Sequence, residues 1–457
     1  MTVAFVAIAR PTFDVAFASE LAVAALGSLS AIGVEVAGTA ELAMTDAEVS
    51  RLSEAWAEVP VEALVVVQAS FADSTLVAAA AATTSAPIVL WGAPEPRTGH
   101  RLRRNSLCGI NLAAFRLAND GRDYRYVFVD PAEPELGALL DAALSGPLTV
   151  GESRAPAGTT PGSTGGALDG LTGSRIGVIG RHPDGFEPCG YDEARTLETL
   201  GVYIDQIALD ELFDVAGSMP EQTLESIMAD LESRMDLGDL DHDSIEPSVR
   251  LHAGLSAICQ EKGWDAVATR CWPECFTEFG GAACSAQGLL TSLGVPAQCE
   301  ADAYGAITAL MLQRGAGPVA FTADLVDIDR ATDTAVVWHC GLAPFEMAAS
   351  DERPRGTVHS NRKLPLVSEF ALKAGTVTIA RVSQSRGTIR LALGRAEMLD
   401  EPRPFSGTAG TLRFERPALE VLDTIMSEGL EHHYGIVYGD VVADLRSAAA
   451  GLEVIEL

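Results

Sequence analysis

From residue 2 to about residue 144, short apolar runs alternate with longer Ala- and Leu-rich stretches whose apolar positions recur at helical spacing. Residues 3–9, 63–68 and 87–91 read as strands, and 17–31 and 75–83 as helices. Strands separated by helices in this way build βαβ units, so this part predicts a parallel sheet with helices on both faces. A second series opens at Arg175-Ile-Gly-Val-Ile-Gly180. It continues through amphipathic helices at 220–235 and 249–262, a strand at 266–269, a helix at 282–293 and another ending near Gln313. Residues 318–323 then read as a buried strand with Asp324 at its carboxyl end. Beyond Ala331 the texture changes. β-rich runs at 376–382, 388–393 and 411–414 are separated by Gly and Ser turns without helices, which predicts a small antiparallel barrel or sandwich.

The expected fold class is therefore α/β, with two doubly wound parallel-sheet domains followed by a small antiparallel β-barrel domain. Residues 1–150 form the first domain, 174–330 the second and 331–457 the third. The stretch 151–173, rich in Gly, Ser, Thr and Pro and nearly devoid of large apolar residues, is a linker by composition.

Charge narrows the partners. The chain of 457 residues carries 32 Lys and Arg against 63 Asp and Glu, a net charge of −31. Nucleic acid and anionic membrane surfaces are held by basic residues, so neither is an expected partner. No window approaches the ~18–20 uninterrupted apolar residues of a membrane span. The amino end is apolar without a basic leader and runs into Arg10-Pro11, which suits a first buried strand better than a secretory signal. A cytoplasmic location and reduced thiols for the eight Cys follow as expectations.

Few residues stand out for chemistry. Gly177, Gly180 and Gly185 lack the spacing of a dinucleotide loop, so no nucleotide cofactor is expected. Gln298-Cys299-Glu300-Ala301-Asp302 puts carboxylates beside a helix start, and Asp324 lies where open α/β sheets bind ligands. Such carboxylates could hold a divalent cation, act as acid and base, or simply cap a helix and a turn. His339 and the pair His432-His433 stand in apolar surroundings, as core residues or as nitrogen ligands completing an oxygen and nitrogen site. Trp272, in Cys271-Trp-Pro-Glu-Cys275, is either a core side chain or a platform for sugar C–H groups. Two basic clusters, Arg97 to Arg104 and Arg353 to Lys363, pair with carboxylates at a subunit contact or form an anion pocket.

Taken in order, four segments resemble the L-fucose isomerase and L-arabinose isomerase superfamily, in its shorter fucose-isomerase-like branch. They are Ala7-Ile-Ala-Arg10-Pro-Thr-Phe-Asp14, Cys299-Glu300-Ala-Asp302-Ala-Tyr304-Gly305, Phe321-Thr-Ala-Asp324, and His433-Tyr-Gly-Ile-Val-Tyr438-Gly439. The resemblance implies that Glu300, Asp324 and His433 bind a divalent metal, usually Mn²⁺. His339 is a candidate fourth ligand, because arabinose isomerases carry a ligand histidine at a comparable distance from the second carboxylate. It further implies an aldose–ketose isomerase in which Glu300 and Asp324 shuttle protons on an open-chain sugar. Arg10 is implied to contact substrate in a neighbouring subunit of a homo-oligomer, a hexamer. His432 replaces an asparagine on the substrate side of the pocket. Two other functions stand beside this one: isomerisation of a sulfonated or phosphorylated sugar, motivated by the basic clusters, and non-catalytic sugar binding by paired α/β domains.

Overall fold

The computed structural model describes residues 1–146, 168, 170–350 and 353–457. Most of the expected linker lies outside these residues.

Five parallel strands form the first sheet: β1 (Thr2–Ile8), β2 (Glu35–Ala43), β3 (Ala63–Gln68), β4 (Ile88–Gly92) and β5 (Tyr124–Phe128), in the order β2-β1-β3-β4-β5. Both faces are buried. Val3, Phe5 and Ala7 of β1 enter one apolar cluster and Ala4, Val6 and Ile8 another, so the strand reads as a continuous apolar run. Its helices start where side chains can satisfy free backbone N–H groups. Asp14 caps Val15–Ala31 through the Phe17 N–H, and Asp73 caps Ser74–Ala82 through the Thr75 N–H.

A second parallel sheet follows, ordered β7-β6-β8-β9, from β6 (Arg175–Ile179), β7 (Tyr203–Ile207), β8 (Ala266–Thr269) and β9 (Ala297–Gln298). Gly177, within the glycine-rich opening of this unit, is explained by packing: a Cβ there would lie 1.9 Å from the Trp264 ring.

The remaining strands are β10 (Phe321–Asp329), β11 (Thr334–His339), β12 (Arg355–Thr357), β13 (Val367–Ala371), β14 (Gly375–Ser383), β15 (Arg390–Met398), β16 (Thr408–Phe414), β17 (His433–Tyr438) and β18 (Val454–Glu456). They make one nine-stranded sheet. Within it β16, β11, β10, β17, β14 and β15 pair antiparallel in that order, and β15 pairs back onto β16, so the pairings return to their start. Two strands depart from the antiparallel expectation, because β13 joins β16 and β18 joins β15 in parallel.

Two further differences matter for the site. The strand expected to close the second unit is β10. It runs on to Asp329 and pairs with β11 and β17, so Asp324 lies inside a strand of the third sheet. All but the last residue of β10 are buried, which removes the alternation that would have revealed its partners. The third unit is also not free of helix, since Ala418–Glu428 packs beneath its sheet through Val421, Leu422 and Ile425.

Two buried helices join the units. Ser106–Asn119 lies between the first and third sheets, where Leu107, Ile110 and Ala114 share a core with Phe321 and Ala323 of β10. Asn111 Nδ2 donates to the Leu430 carbonyl at 2.7 Å. Ala303–Ala316 packs between the second and third sheets with Ile307, Leu310 and Leu312 in one core with Ala268 of β8 and Ala380 of β14.

Candidate active site where three sheets meet

A cavity of about 670 Å³, including its solvent-open part, collects side chains from all three units. Arg10 and Asn105 come from the first, Trp272 and Glu300 from the second, and Asp324, His339 and His432 from the third. Every site residue expected from sequence except His433 lines it directly, and His433 touches the lining carboxylates.

Strand pairing sets the innermost contact. Asp324 of β10 and His433 of β17 are direct cross-strand partners, with Asp324 Oδ1 3.5 Å from His433 Nε2. Glu300 arrives from the loop between β9 and the helix Ala303–Ala316. Glu300 and Ala301 both adopt left-handed backbone conformations, at φ of 59° and 53°. Consecutive non-glycine residues there cost on the order of 1 kcal/mol or more each, a strain the surrounding packing must hold. The result places Glu300 Oε2 3.0 Å from His432 Nε2 and 3.7 Å from His433 Nε2, while Trp272 Nε1 donates to Oε1 at 3.2 Å.

Hydrogen bonding fixes how each imidazole is presented. His433 Nδ1 lies 2.9 Å from Asp302 Oδ2, a carboxylate held by Arg381 at 2.6 and 3.0 Å. Nδ1 therefore carries the proton, and the Nε2 lone pair faces Glu300 and Asp324. His339 is set the other way. Its Nδ1 accepts the Cys340 backbone N–H at 2.9 Å, so Nε2 carries the proton and lies 2.9 Å from Cys299 Sγ. It presents an N–H and not a lone pair, which argues against the fourth-ligand role expected for it.

The two carboxyl groups differ in acidity. Burial pushes Asp324 up, and Glu300 adds to this against His433 and the Cys108 thiol, to about 7. Burial also acts on Glu300, but the His432 hydrogen bond, the charges of His433 and His432, and the Trp272 N–H bring it down to about 2. Asp302 is likewise buried, yet Arg381 and His433 hold it well below the usual carboxylate range.

These donors fit a hard divalent cation. Asp324 Oδ1 is buried without a hydrogen-bond partner, Glu300 supplies a second oxygen, and His433 Nε2, which has a long 3.9 Å contact with the Cys299 thiol, supplies a nitrogen lone pair between them. Two overlapping groups, Cys189 with Glu300, His432 and His433, and Cys299 with His339 and His433, also bring donor atoms within 4.8 Å of one another. Burial raises both the Cys189 and Cys299 thiols well above their ordinary value, so both are protonated in the metal-free protein.

Arg10 lines the cavity of its own chain. Its guanidinium pairs with Asp73 and lies 4.8 Å from the Trp272 ring centroid. The cause is the docking of the first sheet on the third, which turns the segment after β1 toward β10 and its neighbours. Trp272 lines the cavity too, although its ring is contacted by Arg10, Arg362 and Phe186. Sequence reading gave no role to Arg381 and did not assign Asp302 the orienting of His433. A lone Arg in the apolar run of β14 was the available signal for the first, since a buried charge demands a partner.

Comparison with known proteins identifies the family. A sequence model of the N-terminal domain of fucose/sulfoquinovose isomerase matches residues 4–139. The chain is 30% identical to sulfoquinovose isomerase of Alkalicoccus urumqiensis over 401 residues, 87% of this chain and 86% of that one. It is 29% identical to the enzyme of that name from Priestia megaterium over 445 residues, 97% and 96% of the two chains. A third, from Clostridium sp. strain MSTE9, is 30% identical over 84% and 83%. The chain belongs to the fucose/sulfoquinovose isomerase family. As a member it is an aldose–ketose isomerase, and the reading as a non-catalytic sugar-binding protein falls away. Among the described residues no helix is long and apolar enough to cross a membrane.

Proposed function

We propose that this isomerase converts a sulfonated aldose to the corresponding ketose, with Glu300, Asp324 and His433 holding a divalent cation, Mn²⁺ in the first instance. The observation that carries the metal site is the convergence of Glu300, an unpartnered Asp324 oxygen and the His433 Nε2 atom at the cavity. The sulfonated substrate is supported by the names of the relatives and by the cationic side of the same cavity, where Arg10 and Arg362 lie against Trp272.

Aldose–ketose interconversion moves a hydrogen between C1 and C2, and a carbon-bound proton leaves only if the charge left on the adjacent oxygens is stabilised. When bound, the cation supplies Lewis-acid polarisation of those oxygens. The protein does the rest. Glu300, ionised at neutral pH, takes the proton from one carbon and returns it to the next, steered by His432 and the Trp272 N–H. Asp324, whose acidity is set far from that of Glu300, exchanges a proton with the sugar oxygen. His433 keeps both carboxylates in register, and Asp302 keeps His433 in the required tautomer.

The test is direct. Incubation with a 6-sulfonated aldohexose and Mn²⁺, followed by ¹³C NMR, is expected to yield the ketose, and chelation of the metal to stop it. Absence of ketose with Mn²⁺ and with other divalent ions would overturn the proposal.

A further inference from the structure

The cavity has a wall that the proton-transfer chemistry does not use. It is built by the loop after β12, through His359, Asn361 and Arg362. Among the described residues Arg362 forms no ion pair, and its guanidinium lies 4.5 Å from the Trp272 ring centroid and 5.5 Å from that of Phe276. A guanidinium stacked on aromatic faces leaves its N–H edge free, the geometry that grips an oxyanion in a two-pronged fashion.

Its neighbours are donors as well. His359 Nδ1 accepts the backbone N–H groups of Asn361 and Arg362 at 3.2 and 3.3 Å, so the remaining ring nitrogen of the neutral imidazole carries a proton. Burial together with the charge of Arg362 pushes His359 down to about 3, which keeps it neutral. The Asn361 carboxamide oxygen is taken by Arg101 Nε at 2.7 Å, which leaves the amide NH₂ for the cavity. Arg101 makes its other hydrogen bond to the Thr12 carbonyl, so its charge also goes to neutral oxygens. In a chain of net charge −31, this wall gathers hydrogen-bond donors and the unpaired guanidinium of Arg362. The two basic clusters of the sequence meet here, one supplying Arg101 and the other His359 and Arg362.

We infer that His359, Asn361 and Arg362, braced by Arg101, receive the substrate's sulfonate, and that Arg362 is the residue that distinguishes a sulfonated from a neutral sugar. The inference rests on the proposed isomerisation of a sulfonated aldose. Trp272 links the two ends: its N–H binds Glu300 at the reacting end, and its ring carries Arg362 at the other. A sugar with its carbonyl at Glu300 and Asp324 thus directs its remote anionic group to the loop. One unpaired guanidinium with two neutral donors matches a monoanion better than a phosphate dianion.

Arg362→Gln and Arg362→Lys, with Arg355→Gln as a control outside the cavity, separate the outcomes. For the sulfonated aldose, Arg362→Gln is expected to raise KM about 10- to 100-fold with kcat little changed. The Lys variant is expected to recover part of the loss, and Arg355→Gln to behave as wild type. Preference for the sulfonated over the corresponding neutral aldose should fall by the same factor in Arg362→Gln. A second measurement needs no turnover: methanesulfonate titrated against tryptophan fluorescence should bind wild type, and bind Arg362→Gln more weakly by a similar factor. Turnover of the sulfonated sugar with KM and methanesulfonate binding both untouched by Arg362→Gln would overturn the receptor while sparing the isomerase proposal. Arg362-dependent methanesulfonate binding without any turnover would do the reverse. A wild-type preference for the 6-phosphorylated hexose over the sulfonated one would overturn the choice of sulfonate.

Discussion

Asp302 Oδ2 stands 2.9 Å from His433 Nδ1 and in the same carboxylate is bound by Arg381, so the orientation of one imidazole depends on a buried ion pair. The same Asp302 caps the helix Ala303–Ala316 by accepting the Gly305 N–H at 2.9 Å. Asp302→Asn should therefore weaken Mn²⁺ binding about 10- to 100-fold, the usual effect of removing a partner that orients a metal-binding His. It should also destabilise the fold by about 3 kcal/mol, because buried Arg381 loses its hydrogen-bonded carboxylate and is left with Glu431 at 3.7 Å. Calorimetric metal titration and thermal melts measure the two effects separately.

Glu300→Gln keeps the shape and the reach to Trp272 and His432 but removes the base. Turnover should fall by about 10²–10⁴-fold or more with the circular dichroism spectrum unchanged. Substantial residual isomerisation would take the carbon-proton transfer away from Glu300.

The two imidazoles should separate cleanly in metal analysis. His433→Gln removes a nitrogen whose lone pair faces both carboxylates, so the variant should purify without stoichiometric metal. His339→Gln removes an N–H already directed at Cys299, and metal content should stay at the wild-type level. Loss of metal in His339→Gln would restore it to the ligand set.

Asp324 gives the metal-free protein a pH signature. Its folded-state pKa is about 7 against 3.8 for the unconstrained group, so burial is tolerated with the proton on. The protonated group leaves stability intact below pH 3.8, and that contribution is lost as pH rises to about 7. The full loss is about 4 kcal/mol. Metal-free Asp324→Asn should be more stable than metal-free wild type at pH 8, with the advantage vanishing near pH 4. Mn²⁺ affinity of the wild type should rise roughly tenfold per pH unit below 7 and flatten above it, because the ion competes with that proton. Denaturant titrations and metal titrations across this range check both.

The parallel units were readable because their signals are local. The strands at 63–68 and 266–269 have the expected bounds, and the helix at 17–31 begins two residues early, at Val15, where Asp14 caps it. β2 went unread because Glu35–Ala43 is an edge strand with a Gly and mostly half-exposed side chains, too polar to resemble its neighbours. The affiliation of β10 depends on pairing partners more than 100 residues away in β17, which no window contains. At the site, Glu300, Asp324 and His433 were recognisable as chemistry-bearing types in recurring segments. The direction each histidine faces was not readable, since it depends on the Cys340 N–H for His339 and on Asp302 for His433. Arg10 was singled out as a substrate contact through the resemblance, and the docking of the first sheet on the third brings it to the cavity of its own chain.

The cavity draws on three units, each with apolar residues of its own to bury. A sugar and an ion settled there would therefore behave as a rivet through three plates. Saturating both should raise the melting temperature and fuse any stepwise melting of the units into a single transition, since binding favours only the fully joined state. Cutting the chain between units should cost catalysis long before it costs secondary structure.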